Sequence, residues 1–266
     1  MTIRDALAQV EHRLGAAGVD TPRVDAEWLV AHVLGVPRTR IHEHGDVDEH
    51  ELERLTRRRE QREPLAYVLG EWGFRRLTLN TDRRALVPRP ETEVVVERAR
   101  ALIADEAEPR VLDVGVGSGA IALAIADEVP AARVTGIDTS PQALELAREN
   151  AERLSLRIEL RRAGAEAAGE GWDLVVANPP YVAQAALAEA QPELQWEPYD
   201  ALADTGLHDE IIRAARTTWL VLEVGYGQAR EIEQALRENG YTETKITRDL
   251  AGVERVVEGR RAEHSR

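Results

Sequence analysis

Asn178-Pro179-Pro180-Tyr181 follows directly on the apolar segment "LVVA" and combines a carboxamide, two prolines and an aromatic ring. Proline fixes its φ angle and lacks an N–H, so two in succession set a rigid path and leave nearby carbonyl groups without local donors. The side-chain oxygen of Asn178 and a main-chain carbonyl near Pro179 can then accept both hydrogens of a planar amide or aromatic amine, while Tyr181 packs over its plane. The pattern favours a site that orients a weakly nucleophilic nitrogen, although a Pro-Pro pair can also simply end a strand.

A glycine-rich turn connects the apolar segment "VLDV" to the apolar pattern "AIALAIA". It contains Gly115, Val116, Gly117, Ser118 and Gly119. Because glycine has no Cβ, the backbone of such a turn can adopt positive φ and approach a ligand closely. The spacing is G-x-G-x-G, whereas the dinucleotide fingerprint is G-x-G-x-x-G, which argues against a nicotinamide site. We interpret the turn as cofactor-binding; a purely structural link between strand and helix is the alternative.

Asp138 ends the next apolar segment, "RVTGI", at the edge of the sheet where the glycine turn also lies. An acid at this place can accept both hydroxyls of a ribose. Its other possible role is to cap the helix that opens at Pro141, but Thr139 or Ser140 would serve that purpose better. A ribose beside a nitrogen-orienting site indicates S-adenosylmethionine, whose sulfonium methyl is the electrophile. The site would then supply mainly proximity, alignment and dipoles to an in-line displacement.

A parallel sheet is needed to bring the glycine turn, Asp138 and Asn178 together, and the sequence pattern predicts one. From residue 91 onward, helical and strand patterns alternate, which is typical of an α/β fold. Seven strands are predicted, at 110–114, 133–137, 157–161, 173–177, 219–224, near 242–248 and near 253–258. Helices are predicted at 91–104, 119–129, 141–153, near 206–216 and at 227–239.

The residues before the sheet predict two further parts, a small helical domain over 1–70 and a β-hairpin linker over 71–88 that reverses around Asn80 to Asp82. Apolar residues recur at helical spacing on two faces, Leu7, Val10 and Leu14 on one, and Val24, Trp28 and Ala31 on the other. Thr21-Pro22 and Gly35 are the expected start and stop of the second helix, and a third helix is expected from Asp48 to Gln61. The remaining residues, 89–266, form the larger domain.

Composition narrows the classes of function. The 266 residues include no cysteine, which excludes disulfides, thiolate catalysis and cysteine-ligated metal sites. His42, His44 and His50 lie among acids, which hints at a metal, but in a loop without fixed ligand spacing, so we predict no metal site. A net charge of −14 makes nucleic acid the less favoured substrate. No apolar run is long enough for a membrane span, and the N-terminus does not resemble a secretory signal. We expect a cytoplasmic protein that does not bind membranes.

The sequence resembles the class I S-adenosylmethionine methyltransferases and, within them, the protein glutamine N5-methyltransferases that modify peptide chain release factors. The resemblance spans nearly the whole chain. Besides the glycine turn and "VVANPPYV" (175–182), it includes "REPLAYVLGEWGF" (62–74), "LVPRPETEVVVERA" (86–99), "EPYDAL" (197–202), "LEVGYGQ" (222–228) and "DLAGVERVVEGR" (249–260). Asn-Pro-Pro-Tyr alone is shared with enzymes that methylate adenine or guanine, whereas "VPRPETE" and the N-terminal helices look specific to the glutamine group.

The resemblance implies a Rossmann-like sheet of order 3-2-1-4-5-7-6 with one antiparallel strand, and a five-helix N-terminal domain that recognises the protein substrate. It implies methyl transfer from S-adenosyl-L-methionine, with S-adenosyl-L-homocysteine as product, to the glutamine of a Gly-Gly-Gln motif. Gly115 through Gly119 and Asp138 would contact the cofactor. Asn178 would be catalytic and touch both cofactor and glutamine, and Asn178, Pro179, Pro180 and Tyr181 would line the glutamine pocket. "PRPETE" would form an active-site wall.

The family usually has an acid after the third sheet strand to contact adenine, but this chain has "RRAGAEAAG" there. Either Glu166 replaces that acid, or Ala163 and its neighbours contribute only backbone groups. Three other functions are alternatives: a glutamine methyltransferase of a ribosomal protein, an adenine-N6 or guanine-N2 nucleic-acid methyltransferase, and a cofactor-binding regulatory module without turnover. We expect a monomer whose protein substrate is a release factor.

Overall fold

The computed structural model describes residues 1–187 and 189–261, and the chain groups into two units. Met1–Glu71 and Ala190–Trp196 belong to the first unit, and the other described residues belong to the second. The first 70 residues contain four α-helices and one 3-10 helix. They are α1 (Ile3–Ala16), α2 (Pro22–Leu34), the 3-10 helix Arg38–Glu43, α3 (Glu49–Glu60) and α4 (Leu65–Leu69).

The helix boundaries of the first unit follow the capping residues. Pro22 begins α2 and Gly35 ends it in the left-handed conformation with a φ of 65°, so the predicted start and stop are confirmed. Thr21 occupies the N-cap position but makes no capping bond, because its hydroxyl donates to Asp25. Asp48 caps α3 by accepting from the backbone N–H groups of His50 and Glu51. The predicted face of Leu7, Val10 and Leu14 is buried.

The predicted face of α2 is wrong for two of its three residues. Val24 is 39% exposed and Trp28 is 37% exposed, whereas Leu29 and Val30 are buried. Asp25 also lies on the buried side, because Arg59 Nε donates to its Oδ2 at 2.7 Å. A paired carboxylate on the buried face therefore breaks the apolar periodicity from which the face was predicted.

The ion pair between Arg59 and Asp25 extends to Glu193, in the segment 190–196. Glu193 accepts from Arg59 Nη1 at 2.8 Å and from Arg62 Nε and Nη2, each at 2.7 Å. Burial alone would raise the pKa of Glu193, but the hydrogen bonds from Arg62 and Arg59 lower it below its usual value. These bonds join a segment that lies far along the chain to α3 of the first unit.

A hairpin of β1 (Glu71–Phe74) and β2 (Leu77–Asn80) follows the helices, and the second unit begins within β1, at Trp72. The predicted reversal around Asn80 to Asp82 is wrong, since the chain turns at Arg75, which has a φ of 54°. Arg75 is held there because its N–H donates to Glu93 at 2.9 Å and its guanidinium pairs with Glu128. A left-handed arginine gives no turn signal in a sequence.

The predicted alternation of helices and strands is confirmed after the hairpin. The helices are α5 (Glu93–Leu102, after a 3-10 helix at Pro90–Thr92), α6 (Ala120–Glu128), α7 (Pro141–Leu154), α8 (Gln184–Leu187), α9 (Leu207–Ala214) and α10 (Ala229–Glu238). The strands are β3 (Arg110–Val114), β4 (Arg133–Asp138), β5 (Glu159–Arg162), β6 (Leu174–Ala177), β7 (Trp219–Glu223), β8 (Tyr241–Arg248) and β9 (Glu254–Arg261). Short 3-10 helices lie at Ala165–Gly169, Pro192–Trp196 and Tyr199–Ala201.

The seven strands β3 to β9 form one sheet in the order β5-β4-β3-β6-β7-β9-β8, which is the predicted order 3-2-1-4-5-7-6. Only β9 runs against the others in this sheet, so the predicted single antiparallel strand is confirmed. The central strand β6 is completely buried, with apolar side chains packed on both faces of the sheet. No helix in the described ranges combines the length and apolar character needed to cross a membrane.

Candidate active site

The register of the central strands brings three strand ends together. Val114 of β3 pairs with Ile137 of β4 on one side and with Ala177 of β6 on the other. The residues that follow, Gly115, Asp138 and Asn178, therefore lie at one edge of the sheet, where the strand order reverses. All three line one cavity of about 510 Å³, a volume typical of small-molecule sites.

The glycine turn forms one wall of this cavity. The N–H groups of Gly115 and Val116 both donate to the carbonyl of Ile137, at 2.9 and 2.8 Å, which fixes the turn on β4. Gly115 and Gly117 have φ angles of 78° and 53°, in the left-handed region that favours glycine. A Cβ added to Gly115 would meet no atom of the described residues within 4 Å, so the backbone is open at that point. Gly115, Val116, Gly117 and Ser118 all line the cavity.

Gly119 has a different position, since it is not among the residues that line the cavity. It begins α6 with a φ of 88°, and a Cβ there would lie 2.8 Å from Cδ1 of Leu123 and 3.5 Å from Cβ of Ala147. Its missing side chain therefore allows close packing at the start of α6.

Asp138 lines the cavity and also stabilises its walls. Its Oδ2 accepts from the N–H of Gly117 at 3.1 Å, and its Oδ1 accepts from the N–H of Ser140 at 2.9 Å. Burial raises the pKa of Asp138, and these backbone hydrogen bonds oppose the change. Each oxygen has a second lone pair for a ligand hydroxyl. Ser140, as predicted, takes the helix-capping role by accepting from the N–H of Ala143.

The wall after β5 is made of backbone and small side chains. Ala163, Gly164 and Ala165 line the cavity, and Glu166 does not. Glu166 instead accepts from the N–H of Gly164 at 3.0 Å, and such backbone hydrogen bonds lower its pKa. Of the two alternatives for this region, the structure favours the one in which only backbone groups face a ligand.

The Asn-Pro-Pro-Tyr tetrapeptide follows β6 and is held at both ends. Asn178 donates from Nδ2 to the hydroxyl of Thr92 at 3.1 Å, and Tyr181 donates from its hydroxyl to Glu223 Oε1 at 3.2 Å. Pro180 lines the cavity, whereas Pro179 is buried and neither it nor Tyr181 belongs to the lining. The carbonyls of Pro179 and Pro180 accept no hydrogen bond from residues within the described ranges.

The ring of Tyr181 packs against backbone. A Cβ on Gly225 would lie 2.9 Å from Cδ2 of Tyr181, so the ring fits only because this position is glycine. Gln228 fixes the same place from both sides, because its Oε1 accepts from the N–H of Gly225 and its Nε2 donates to the carbonyl of Tyr181. Burial raises the pKa of Tyr181, and the neighbouring charge of Glu223 raises it further.

The residues of "VPRPETE" form the wall that faces the tetrapeptide. Val87, Pro88, Arg89 and Thr92 line the cavity. The buried carboxylate of Glu197 holds this wall, because it accepts from the N–H of Val87 at 2.9 Å and pairs with Arg89. Glu197 was not predicted as a site residue from the sequence. The only signal for it was its position in "EPYDAL", one of the segments that resemble the family.

Glu223 and Thr92 are the other residues that sequence reasoning missed. Glu223 is 0% exposed at the end of β7, in line with Asn178, since Ala177 pairs with Leu222. Burial, the largest influence, raises the pKa of Glu223 to about 7 against the lowering effects of Thr92, Tyr181 and Arg255. The available sequence signal was an acid that ends the otherwise apolar segment "WLVL".

Comparison with known proteins gives consistent matches over both units. Residues 5–70 match the family described as "PrmC N-terminal domain", and residues 92–235 match the family described as "Methyltransferase small domain". A release factor glutamine methyltransferase of Deinococcus radiodurans is 40% identical, over 98% of this chain and 99% of that protein. The protein of the same name from Vibrio cholerae is 39% identical, over 97% and 96%.

Solved structures share the fold at low sequence identity. The catalytic domain of hMettl16, in complex with the MAT2A 3'UTR hairpin 6, has a TM-score of 0.56 and 14% identity, with 83% of this chain and 85% of that chain covered. The T. Thermophilus 16S rRNA N2 G1207 methyltransferase RsmC, in complex with AdoMet and guanosine, has a TM-score of 0.54 and 16% identity, with 72% and 50% covered. The shared architecture is that of Rossmann-like methyltransferases.

Proposed function

Because this chain belongs to the release factor glutamine methyltransferase family, we propose that it methylates the glutamine of the Gly-Gly-Gln motif in peptide chain release factors. The methyl group comes from S-adenosyl-L-methionine and is transferred to the side-chain amide nitrogen, N5. The first unit, which matches the N-terminal domain of the family, recognises the release factor.

The residues around the cavity fit this cofactor. At Gly115 the cofactor can lie against the backbone in the space that a Cβ would otherwise fill. The carboxylate of Asp138 has lone pairs left to accept from the two ribose hydroxyls. The backbone wall from Ala163 to Ala165 suits a flat base better than a charged group. When bound, S-adenosyl-L-methionine supplies a methyl carbon on a sulfonium sulfur, which retains the electron pair of the broken C–S bond in S-adenosyl-L-homocysteine.

The chain's own residues orient the glutamine amide. Nδ2 of Asn178 is engaged by Thr92, so Oδ1 faces a ligand as an acceptor. A main-chain carbonyl near Pro179 is the second acceptor for the other amide hydrogen, since the carbonyls of Pro179 and Pro180 accept no hydrogen bond from the described residues. Held by both hydrogens, the amide directs its nitrogen lone pair out of its plane, where the new N–C bond forms. The methylated nitrogen then releases one proton to solvent, and no strong base is needed before transfer.

The observation that carries the proposal is the position of Asn178 in the same cavity as the glycine turn and Asp138, with a side-chain oxygen that accepts no hydrogen bond from the described residues. The test is incubation with labelled S-adenosyl-L-methionine and purified release factors, followed by mass spectrometry to locate the methyl group. We expect modification of the Gly-Gly-Gln glutamine. Transfer to DNA, RNA or a ribosomal protein but not to release factors would overturn the proposal.

Substitution of the carboxamide gives a sharper test. We expect Asn178→Ala to lower kcat by about 100-fold or more, because one of the two amide acceptors is lost in the transition state. Gln234→Ala is the matched control, since Gln234 also carries a carboxamide but, among the described residues, its side chain bonds only to Glu238 of α10. Equal kcat values for the two variants would show that Asn178 takes no part in methyl transfer.

A further inference from the structure

Four polar side chains lie in two hydrogen-bonded pairs behind the Asn-Pro-Pro-Tyr tetrapeptide. Asn178 donates to Thr92 at 3.1 Å, and Tyr181 donates to Glu223 Oε1 at 3.2 Å. Thr92 and Glu223 are 4% and 0% exposed, so water has little access to this group. One end of the tetrapeptide thus leads through Tyr181 to the buried carboxylate of Glu223, and the other leads to Thr92, whose hydroxyl lowers the pKa of that carboxylate.

The hydroxyl of Thr92 has one proton to donate. Its oxygen already accepts from Asn178 Nδ2, and a hydroxyl has one O–H donor besides its acceptor lone pairs. Glu223 Oε2 is buried and accepts no hydrogen bond within the part of the chain that the structure describes. The hydroxyl of Thr92 lowers the pKa of Glu223 and is the donor available to this carboxylate, although no hydrogen bond joins the two side chains in the described structure.

The charge state of Glu223 then determines the direction of the hydrogen bonds. An ionised carboxylate can only accept, so Thr92 must donate to it and must itself accept from Asn178. The carboxamide is thereby fixed with Nδ2 inward and Oδ1 outward. Protonated Glu223 can donate to Thr92, whose own proton then becomes available to Asn178 Oδ1. The carboxamide can turn over in that state and present a donor where an amide hydrogen needs an acceptor.

We propose that Glu223 is a positioning residue for the methyl transfer. Its ionised carboxylate acts through Thr92 to keep Oδ1 of Asn178 toward the substrate amide. Through Tyr181 it fixes the other end of the tetrapeptide. The inference rests on the proposed function, because it needs a substrate that brings hydrogen-bond donors to Asn178. Glu223 itself touches neither substrate nor cofactor and is not a catalytic residue.

A pH dependence of the rate follows from this geometry. The charged and titratable groups that face Glu223 are Tyr181, Arg255 and Glu91, and His208 Nε2 lies 2.7 Å from its backbone carbonyl. Burial raises the pKa of Glu223 to about 7, so the ionised fraction falls as the pH falls below that value. We expect kcat to decline below about pH 7, by roughly tenfold for each further pH unit.

Glu223→Gln tests the inference, because it keeps the size of the side chain and removes the charge. We expect kcat for release-factor methylation to fall roughly 10- to 100-fold and the residual rate to lose its decline below pH 7. The affinity for S-adenosyl-L-homocysteine, measured by titration calorimetry, should stay within about twofold of the wild-type value, since Glu223 lies outside the cavity lining. A merely structural role would not remove the pH dependence.

Two Thr92 variants are the matched controls if Glu223→Gln fails to fold. Thr92→Val keeps the shape but removes the hydroxyl, and we expect a loss of kcat similar to that of Glu223→Gln. Thr92→Ser restores the hydroxyl and should recover activity to within about threefold of wild type. The Glu223→Gln, Thr92→Val double variant should be no slower than the slower single variant, because both changes break one chain of hydrogen bonds.

The outcomes separate this inference from the proposed function. A wild-type protein that transfers no methyl group to any release factor would overturn the proposed function. If the wild-type protein is active and Glu223→Gln keeps both its kcat and its decline below pH 7, only the role of Glu223 is overturned. Independent losses that multiply in the double variant would likewise contradict a single chain through Thr92.

Discussion

Asn178 carries a group that both donates and accepts, so its chemical role depends on which atom faces the cavity. Thr92 takes Nδ2 and leaves Oδ1 for a ligand. Asn178→Asp keeps the shape but cannot donate to Thr92, and it adds a second carboxylate near the buried Glu223. We expect kcat to fall by roughly 100-fold, measured with a release factor at saturating cofactor. Retention of the wild-type rate would mean that the Thr92 contact has no role in orientation.

Two glycines of one turn should respond differently to the same change. Gly119→Ala would place a Cβ 2.8 Å from Leu123 at a φ of 88°, so we expect a loss of about 1–3 kcal/mol in the free energy of unfolding. Gly115→Ala meets no atom within 4 Å, so its cost in stability should be about 1 kcal/mol, from its positive φ alone.

Cofactor affinity should show the opposite order in this pair. Gly115 lines the cavity and Gly119 does not, so Gly115→Ala should weaken S-adenosyl-L-homocysteine binding by about tenfold or more, and Gly119→Ala should weaken it less. Urea unfolding and titration calorimetry give the two values for each variant. Similar affinity losses in both variants would show that the two glycines are not divided in this way.

Among the elements, α7 connects the hairpin to the glycine turn through one buried carboxamide. Asn150 accepts from the N–H of Asn80 at 2.7 Å and donates to the carbonyls of Asn80 and Ser118, at 3.1 and 2.9 Å. Asn150→Leu fills a similar volume but removes all three bonds and leaves buried backbone groups unpaired. We expect urea unfolding to show a loss of roughly 3–5 kcal/mol in the free energy of unfolding.

The control for this change is Gln234→Ala, which removes a carboxamide from the exposed face of α10. Its effect should stay within about 0.5 kcal/mol. If Asn150→Leu is equally mild, the hairpin and the glycine turn do not depend on their common link to α7.

Elements were predictable where a local pattern defines them. Apolar runs such as "LVVA" gave the central strands, and capping residues gave the start and end of α2. The hairpin reversal and the buried face of α2 were not predictable, because Arg75 and Asp25 owe their positions to Glu128 and Arg59, which lie far away in the sequence. Partners of this kind leave no local pattern, and the charged residue alone looks like a surface residue.

At the scale of the whole molecule, we expect the ionised form of Glu223 to favour methyl transfer and to lower the stability of the fold. A carboxyl whose pKa is about 7 in the folded protein, against an ordinary value of 4.5, destabilises the fold once it must ionise. The unfolded chain has already lost this proton above pH 5, so the cost appears as the pH rises towards 8. Relative to the wild type, Glu223→Gln should gain stability between pH 5 and pH 8, by roughly 2–3 kcal/mol.

Urea unfolding of both proteins at pH 5, 6, 7 and 8 measures this difference. The comparison cancels the other titrating groups, including Asp113, whose pKa burial also raises to about 7. A constant difference across this range would show that Glu223 has an ordinary pKa in the folded protein.

The cavity as a whole could be predicted only in part from the sequence. The glycine turn, Asp138 and Asn178 each follow a recognisable strand, and the rule that carboxyl ends of parallel strands meet at one edge brings them together. Thr92, Glu197 and Glu223 come from the start of a helix, an irregular segment and another strand end. Their roles depend on register and on burial, which the sequence of a single chain does not encode in any short pattern.

Residues 190–196 are grouped with the helices of the first unit although they lie between Tyr181 and Glu197, which belong to the second. The polypeptide therefore passes from one unit to the other more than once, so the two are not consecutive modules. A gene fragment that starts at residue 72 would encode Glu193 without Arg59 and Arg62. Recombination that exchanges the first unit would therefore have to transfer two separate pieces of coding sequence together.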